Sequence, residues 1–389
     1  VKFSDAGLKT KVSLLPKIEE TDTGASVLVL CVPTRHETPE TAYRQVRALS
    51  ARAAEKHIGC IFKKTDSALR GNVGAELAAV LDGSGEHELF FIPALPAMDR
   101  VTINGIHYIN GVPVHESVFG VDPFEPVTES YIPALLEKQV SEPVEVITGA
   151  TPPAPVNSGK RIAVLDCETQ SGMEKLTRTL YESGRLHAVA GCSGLAEALA
   201  AALCGSVGET EAEPETERLT VVCGSMNPIS LEQVAYAEKT GYAAVSVPVE
   251  RLLETGLESA EGKAFLDALW AEYSKNEHLL IDTGAASAAR GELPEEIGKS
   301  VASLLGAILK DLLDRGAVSR LMIIGGDTLL GFMDAIGCRE LSPQREILQG
   351  VVESEYIYRG VRHSVLSKSG GFGQTDLLLR LESEAPVHA

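Results

Sequence analysis

The sequence predicts an α/β protein of two domains, each a largely parallel sheet flanked by helices, with the active site in the cleft between them. Short apolar runs of β-type alternate with segments whose apolar residues lie three and four apart, which is the pattern of strands and helices in turn. The length of 389 residues is that of two or three ordinary domains. An acidic stretch without apolar periodicity, 206–217, separates two such series and is predicted to be a linker.

The first half, residues 1–205, is predicted to form the N-terminal domain. Its strands and helices alternate as β-α-β-α-β, and this order is typical of a parallel sheet with helices on its faces. The sequence begins at Val1 inside this pattern, so we expect the first strand of the domain to be missing. Asn110-Gly111 predicts a hairpin turn. The predicted strands are 11–14, 27–31, 58–62, 89–92, 144–147, 161–166 and 188–191, and the predicted helices are 39–56, 73–81, 171–183 and 194–203.

The second half, residues 218–389, is predicted to form the C-terminal domain, because a new β-α series starts directly after the acidic stretch. Apolar β-type runs again precede segments of helical periodicity, so a second parallel sheet is expected. The predicted strands are 219–223, 243–247, 279–282, 321–324 and 361–367, and the predicted helices are 230–240, 261–275, 295–315, 329–336 and 375–381.

Composition limits the partners and the compartment. A formal net charge of −19 argues against nucleic acid or an anionic membrane as the main partner. The seven cysteines form no CxxC pair, which predicts reduced core residues in a cytoplasmic protein. No apolar run reaches the length of a membrane span. An anionic ligand must therefore be held by a local positive site against the overall charge.

Residues 63–72, with the sequence KKTDSALRGN, carry the most chemistry in the first half. They lie between a predicted strand and a predicted helix, and ligands bind at such carboxyl ends in open α/β sheets. Arg70 or Lys64 suits a carboxylate, and Asp66 and Asn72 suit hydroxyl groups, so the group predicts a site for a small polyhydroxy acid. In a simpler alternative, Asp66 or Ser67 only caps the following helix.

Three turns rich in small residues follow strands of the second half, at 224–227, 325–328 and 367–373. Glycines let backbone N–H groups approach phosphate oxygens, and the helix that follows offers its positive end. Lys368 adds a point charge, and Asp327 suits a metal ion or a ribose hydroxyl. Together the turns predict a nucleotide site. The residues expected to bind ATP are Ser225, Gly325, Gly326, Asp327, Thr328, Lys368, Gly370 and Gly371.

With these motifs in view, the sequence resembles the four-carbon acid sugar kinase family over almost its whole length. The resemblance rests on KxDSxLRGN at 64–72, GGDT at 325–328 and KSGGFG at 368–373, in that order. It implies ATP-dependent phosphorylation of a threonate, erythronate or 3-oxo-tetronate type acid, with Mg²⁺ accompanying ATP. By motif position, the resemblance implies that Arg35, Lys64, Thr65, Asp66 and Ser67 contact the acid, while Ser225, 325–328 and Gly370 contact ATP.

Two departures from the family pattern bear on the mechanism. The family opens with a strand and a DDxTGA turn whose first Asp faces the substrate, and this segment does not precede Val1. Within the motif at 64–72, Asp66 is the candidate catalytic base. The usual GGET turn is GGDT at 325–328, which keeps the charge. The metal ligands, the particular acid and hydroxyl, and a homodimeric state stay open.

Two other functions are weighed against the kinase. A Rossmann-type dehydrogenase needs GxGxxG after its first strand and an acidic residue about 20 positions later, and no strand end of the first half has that pattern. A non-catalytic protein that binds a sugar acid and a nucleotide would retain the first-half motif. The intact turns at 325–328 and 368–373 favour the kinase over this alternative.

Overall fold

The computed structural model describes residues 1–18, 24–122, 125–149, 151–156, 158–204, 218–283 and 295–383. It confirms the predicted α/β class, with mostly parallel sheets covered by helices. The predicted linker at 206–217 lies outside the described residues, so the division at that point stays a prediction. Within the described ranges, every helix is too short or too polar to cross a lipid bilayer.

Five strands of the first half form one sheet, in the order β3-β10-β4-β9-β8, and all neighbours in it are parallel. A small antiparallel sheet, β5-β6-β7, contains the predicted hairpin turn at Asn110-Gly111, between β6 and β7. The strands are β1 (Thr10–Ser13), β2 (Val27–Leu30), β3 (Ile61–Lys64), β4 (Glu88–Ile92), β5 (Arg100–Ile103), β6 (Ile106–Ile109), β7 (Val112–Pro113), β8 (Val144–Ile147), β9 (Arg161–Leu165) and β10 (Ala188–Gly191). The helices are α1 (Lys2–Asp5), α2 (Pro39–Glu55), α3 (Val73–Ser84), α4 (Ile132–Leu136), α5 (Gln170–Glu182) and α6 (Ser193–Cys204).

The second half contributes five parallel strands and an antiparallel extension to a nine-stranded sheet, ordered β12-β13-β11-β14-β17-β16-β15-β1-β2. The strands are β11 (Leu219–Cys223), β12 (Ala243–Ser246), β13 (His278–Asp282), β14 (Arg320–Ile324), β15 (Glu340–Leu348), β16 (Val351–Tyr358) and β17 (Val361–Lys368). The helices are α7 (Pro228–Lys239), α8 (Val249–Thr255), α9 (Ala260–Lys275), α10 (Glu295–Asp314), α11 (Gly326–Ala335) and α12 (Leu377–Ser383).

The placement of β2 corrects the sequence analysis, which put this segment in the first sheet as a buried strand. It lies at the outer edge of the nine-stranded sheet, parallel to β1, and Val29 is 38% exposed. β1 in turn pairs antiparallel with β15, with Val12 opposite Leu341. An apolar run does not by itself distinguish an edge strand from a central one, because the pattern of a segment carries no information about which strands lie beside it.

The antiparallel pair of β15 and β16 is a second difference, since the sequence analysis predicts no strand at 340–358. Pro343 interrupts the first strand, and a proline normally argues against a regular strand. The register of β15 and β16 shifts on either side of Arg345. This irregularity accommodates Pro343 within the strand, as is usual for prolines at bulges.

Both sheets are packed on two faces, which is why their strands read as continuous apolar runs. Successive residues of a strand point to opposite faces, so Phe90 and Phe91 of β4, both fully buried, enter different cores. Leu280 and Ile281 of β13 do the same in the second sheet. Burying one such side chain contributes roughly 1.5–3 kcal/mol. Two rigid sheets therefore hold the loops at their carboxyl ends in place.

Candidate active site

Residues 65–72 form a tight loop between β3 and α3. Leu69 has a positive φ of 66°, a strained conformation for a residue with a side chain. Gly71 also has a positive φ, and a Cβ there would lie 3.1 Å from Cγ of Arg35. The loop and Arg35 thus approach closely. Because α3 begins at Val73 with Asn72 at its N-cap position, the alternative that Asp66 or Ser67 caps this helix is wrong.

Asp66 organises the loop through a set of hydrogen bonds to its carboxylate. Arg70 donates from Nε at 3.0 Å and from Nη2 at 3.1 Å, and Arg35 donates from Nη2 at 3.2 Å. The backbone amides of Ala68 and Arg70 donate at 3.2 and 3.3 Å. Burial alone would raise the pKa of Asp66, but the Arg70 hydrogen bonds and the charges of Arg70 and Arg35 hold it below its usual value. A carboxylate held in this way is a weak proton acceptor.

Asn72 has a structural role that differs from the predicted one. It is 7% exposed, and its side-chain nitrogen donates to the carbonyl oxygens of Glu37 at 2.7 Å and Thr34 at 2.9 Å. The amide therefore ties the loop that carries Arg35 to the start of α3, and its N–H groups are not presented to a ligand.

Arg100 belongs to the same site, and the sequence analysis did not select it. Its backbone pairs with Leu95 across the turn that follows β4. Its Nη1 donates to Oγ of Ser67. The guanidinium groups of Arg100 and Arg70 lie 5.2 and 5.0 Å from the centre of the Phe119 ring, at cation–π distance. The sequence did contain a signal for Arg100. Residues 93–100 follow the predicted strand 89–92, just as the motif at 63–72 follows another strand of the same predicted sheet.

Charge around this loop is unevenly paired. Five cations surround it, and three of them have carboxylate partners within 3.2 Å: Arg35 with Asp66, Arg70 with Asp66 and Asp122, and Lys63 with Glu76. Lys64 and Arg100 have no carboxylate partner among the described residues. Desolvation lowers the pKa of both groups. The site thus carries an excess of positive charge in a protein whose net charge is −19.

Two buried groups support the loop from below. The hydroxyl of Thr65 is buried without a hydrogen-bond partner in the described structure, and Thr65 is 3% exposed. His107 is fully buried, with Nε2 2.9 Å from the carbonyl oxygen of Ser67 and Nδ1 3.2 Å from Oγ1 of Thr102. Neutral His107 satisfies both contacts when Nε2–H donates to Ser67 and Nδ1 accepts from Thr102.

His107 should make the stability of the protein pH-dependent. Burial lowers its pKa from 6.5 to about 4, so the unfolded chain binds a proton that the folded protein does not between these values. The free energy of unfolding is expected to fall by roughly 3 kcal/mol as the pH drops from 6.5 to 4. His107→Gln, which can still donate to Ser67, should remove this slope in urea unfolding measured at several pH values.

The exposed His187 provides the control. His187→Gln makes the same substitution at an exposed position, and the slope of His107→Gln is compared with that of this variant. A parent and a His107→Gln variant with the same slope between pH 6.5 and 4 would show that His107 is charged in the folded protein.

The three glycine-rich turns of the second half come together at one sheet edge. They follow β11, β14 and β17, which are parallel neighbours in the nine-stranded sheet. The amide of Gly224 donates to Ile324 at 3.1 Å, and the amide of Gly325 donates to Lys368 at 3.0 Å. The turns were predicted separately from sequence, and the sheet order explains how they form one surface.

The turn at 368–373 is packed closely against its neighbour. A Cβ on Gly370 would lie 2.4 Å from Oγ of Ser225, so only glycine fits there. The carbonyl oxygen of Gly370 accepts from Ser230 at 2.7 Å, and Gln233 donates to Phe372 at 3.0 Å. Helix α7 thus fixes the turn, and Gly371 is exposed beside it.

Lys368, predicted to add a point charge to the nucleotide site, is part of this support. It is 2% exposed, and its ammonium donates to the carbonyl oxygens of Ser369 and Gly370 at 3.1 and 3.2 Å. Burial lowers its pKa to about 8. Its hydrogen bonds lie beneath the turn, where they hold the backbone in the shape that faces solvent.

The start of α11 is the most open part of this surface. Gly326 and Asp327 are exposed, and nothing lies within 4 Å of a Cβ built on Gly326. Thr328 is buried, with its hydroxyl facing Gly224 and Gly325. The first amides of a helix have no partners within the helix and attract anions. The arrangement can hold a phosphate group.

Two protein-family models cover almost the whole chain. A sugar-binding N-terminal domain matches residues 1–199, and a nucleotide-binding C-terminal domain matches residues 220–378. The family model of a sugar-binding domain is thus followed along the chain by that of a nucleotide-binding domain.

Curated relatives give the family. A D-threonate kinase of Salmonella typhimurium is 25% identical over 97% of this chain and 93% of its own length. A D-erythronate kinase of Heliobacterium modesticaldum is 25% identical, with 97% and 91% covered, and a 3-oxo-tetronate kinase of Methylobacterium radiotolerans is 28% identical, with 97% and 94% covered. The chain belongs to the four-carbon acid sugar kinase family.

Two solved structures share the fold. One is a protein from Salmonella typhimurium LT2, with a TM-score of 0.79 and 23% identity over 98% of this chain and 95% of that one. The other is a protein from Haemophilus influenzae, with a TM-score of 0.76 and 19% identity over 99% and 96% of the two chains. The likeness extends over both halves of the chain.

Proposed function

We propose that this protein is an ATP-dependent kinase that phosphorylates a hydroxyl group of a four-carbon sugar acid of the threonate, erythronate or 3-oxo-tetronate type. The observation that carries the proposal is the pair of dissimilar sites. A net-positive polar loop follows β3, and glycine-rich turns follow β11, β14 and β17. Phosphoryl transfer depends mainly on positioning two ligands and neutralising charge, and these sites supply both. The names of the relatives support the same substrate class.

On the acid side, the loop at 64–70 and Arg35 form the binding surface. Lys64 and Arg100 supply unneutralised positive charge, and the Ser67 hydroxyl contacts Arg100. The Thr65 hydroxyl is buried. Asp66 keeps Arg35 and Arg70 in place. Its hydrogen bonds favour this organising role over that of catalytic base, because its low pKa makes proton abstraction unfavourable.

On the nucleotide side, the backbone of 325–328 and the turn at 370–371 would receive the phosphates of ATP. Ser225 lies directly against Gly370. Mg²⁺ is usually held by one or two carboxylates together with substrate phosphates, and the exposed carboxylate of Asp327 at the start of α11 fits that pattern. When bound, Mg²⁺ supplies neutralisation of charge on the phosphates.

A depression beside the third turn would receive the base of the nucleotide. Its volume is about 520 Å³, and it lies between α7 and the residues after Gly373. Tyr236 and Ile229, both 38% exposed, give it an apolar wall. An aromatic base can stack on such a surface.

The proposed division of labour assigns acid binding to 1–205 and ATP binding to 218–389, with the ligands meeting in the cleft between the halves. The pairing of β1 with β15 joins the halves through a continuous sheet. This connection would limit how far the two sites separate as ligands enter.

A panel assay tests the proposal. The full chain is incubated with ATP and Mg²⁺ and with D- and L-threonate, D- and L-erythronate, or a 3-oxo-tetronate, and release of ADP is followed in a coupled assay. We expect at least one acid to raise ADP release far above the rate without acid, and mass spectrometry to show a monophosphorylated product. ADP release that no four-carbon acid increases would overturn the proposal.

A further inference from the structure

Arg100 and Lys64 differ from the other cations of the acid site in what they contact. Arg35, Lys63 and Arg70 each have a carboxylate partner. Lys64 donates to the carbonyl oxygen of Thr65 at 2.7 Å, and Arg100 donates to Ser67. Among the described residues, neither has an anionic partner. Such partly desolvated cations are costly unless an opposite charge joins them.

The two groups have neighbours in common, the Cys192 thiol and the Asp66 carboxylate. Both lie near enough to the Cys192 thiol to lower its pKa, although burial raises that pKa overall, and both feel the charge of Asp66. Lys64 ends β3, Cys192 follows β10, and the turn that carries Arg100 follows β4. These are three adjacent parallel strands, so both cations lie at the carboxyl ends of strands on the β3 side of the sheet.

The free edge of Arg100 indicates the shape of the missing partner. Ser67 occupies Nη1, while Nε is buried without an acceptor in the described structure. The edge formed by Nε and Nη2 therefore has at least its Nε hydrogen bond unmade among the described residues. A planar carboxylate matches such an edge with two parallel hydrogen bonds. Because Nε is buried, a ligand reaches it only if the Arg100 side chain moves.

We propose that Arg100, together with Lys64, binds the carboxylate group of the sugar acid and thereby selects acids over neutral polyols. This inference rests on the proposed function for the identity of the acid. It assigns the recognition of the carboxylate to residues outside the Asp66 cluster, and it leaves Arg35 and Arg70 as neutralised supports. The sequence suggested Arg70 as the alternative to Lys64 for this task. Arg70 is already paired with two carboxylates, Asp66 and Asp122.

Binding of an acid and of the matching polyol, compared without ATP, tests this inference. Calorimetry is performed with threonate and erythronate and with threitol and erythritol, which lack the carboxylate. Arg100→Met and Lys64→Met are each expected to weaken acid binding at least about ten-fold, because the loss of one charge-assisted hydrogen bond lowers an affinity by about that factor. Polyol binding should stay within about two-fold of the parent by the same conversion. Arg100→Lys should recover part of the loss.

Lys63→Met is the matched control, because Lys63 is the neighbouring cation of β3 but pairs with Glu76 at 2.8 Å. It should lower stability and leave the ratio of acid to polyol affinity unchanged. If Arg100→Met and Lys64→Met both keep the parental ratio, the inference is wrong. If the parent binds these acids but shows no turnover with ATP, the proposed function fails while the carboxylate site stands. A parent that binds no four-carbon acid overturns both.

Discussion

Gly326→Val is expected to weaken ATP binding by at least about 100-fold while the fold stays intact. Nothing lies within 4 Å of a Cβ at this position, and Gly326 is exposed at the start of α11. A Cβ at this position would therefore not clash with the rest of the described protein. A phosphate approaching the first amides of the helix would meet the Val side chain, and two charge-assisted hydrogen bonds lost together correspond to about that factor.

Calorimetry with ATP and urea unfolding measure the two parts of this prediction. Gly59→Val is the control, because Gly59 also has open space around its Cβ and lies ahead of β3, away from the turns. Gly370→Val is less informative, since a Cβ there would lie 2.4 Å from Ser225 and would disturb the turn itself. ATP affinity within two-fold of the parent in Gly326→Val would place the nucleotide elsewhere.

Asp66→Asn is expected to lower the free energy of unfolding by roughly 3 kcal/mol and to abolish measurable acid binding. The carboxylate is 11% exposed and neutralises two arginines. Removing the charge of a largely buried carboxylate is costly. Arg35 loses its carboxylate partner and the amides of Ala68 and Arg70 lose a charged acceptor, although Arg70 keeps Asp122. Asn keeps the size of the side chain, so the change reports the lost charge. Urea unfolding and calorimetry with the acid measure both effects.

The result separates an organising role from a catalytic one. If Asp66 were the base, kcat would fall while acid binding and stability stayed near the parent. The pH dependence provides a further readout: the pKa of Asp66 lies below its usual value of 3.8, so its stabilisation is present above that value and is lost as the pH falls further. The variant should lack this part of acid unfolding. Asp122→Asn, which removes a single bond to Arg70 at 3.1 Å, is the control and should have the smaller effect.

The alternation of strands and helices predicted the fold class because each element of a two-faced sheet is marked by local periodicity. The neighbours of a strand are not marked in this way. The segment at 27–30 has the apolar character of a central strand but lies at a sheet edge, and 340–358 forms two strands despite Pro343. Strand pairing over long separations depends on tertiary packing, which local patterns do not contain.

The same distinction between local patterns and long-range packing applies to the candidate site. Sequence placed the charged loop and the glycine-rich turns at strand ends, and the structure brings each group together. The sequence did not indicate which polar groups form hydrogen bonds with one another. Asn72 and Lys368 hold backbone carbonyls, and Arg100, distant in sequence from the motif, reaches it through the order of the sheet. Side-chain partners are set by the three-dimensional arrangement, which residue type and spacing alone do not contain.

The pairing of Val12 with Leu341 also has a consequence for how the protein is made. The two residues are about 330 positions apart in sequence, and ribosomes add roughly 5–20 residues per second. The strand pair at 10–13 and 27–30 therefore leaves the ribosome roughly 15 to 65 s before its partner strand exists. Exposed edges of this kind invite pairing with other chains. Cells that produce this protein rapidly would thus depend on chaperones during synthesis more than its finished structure suggests.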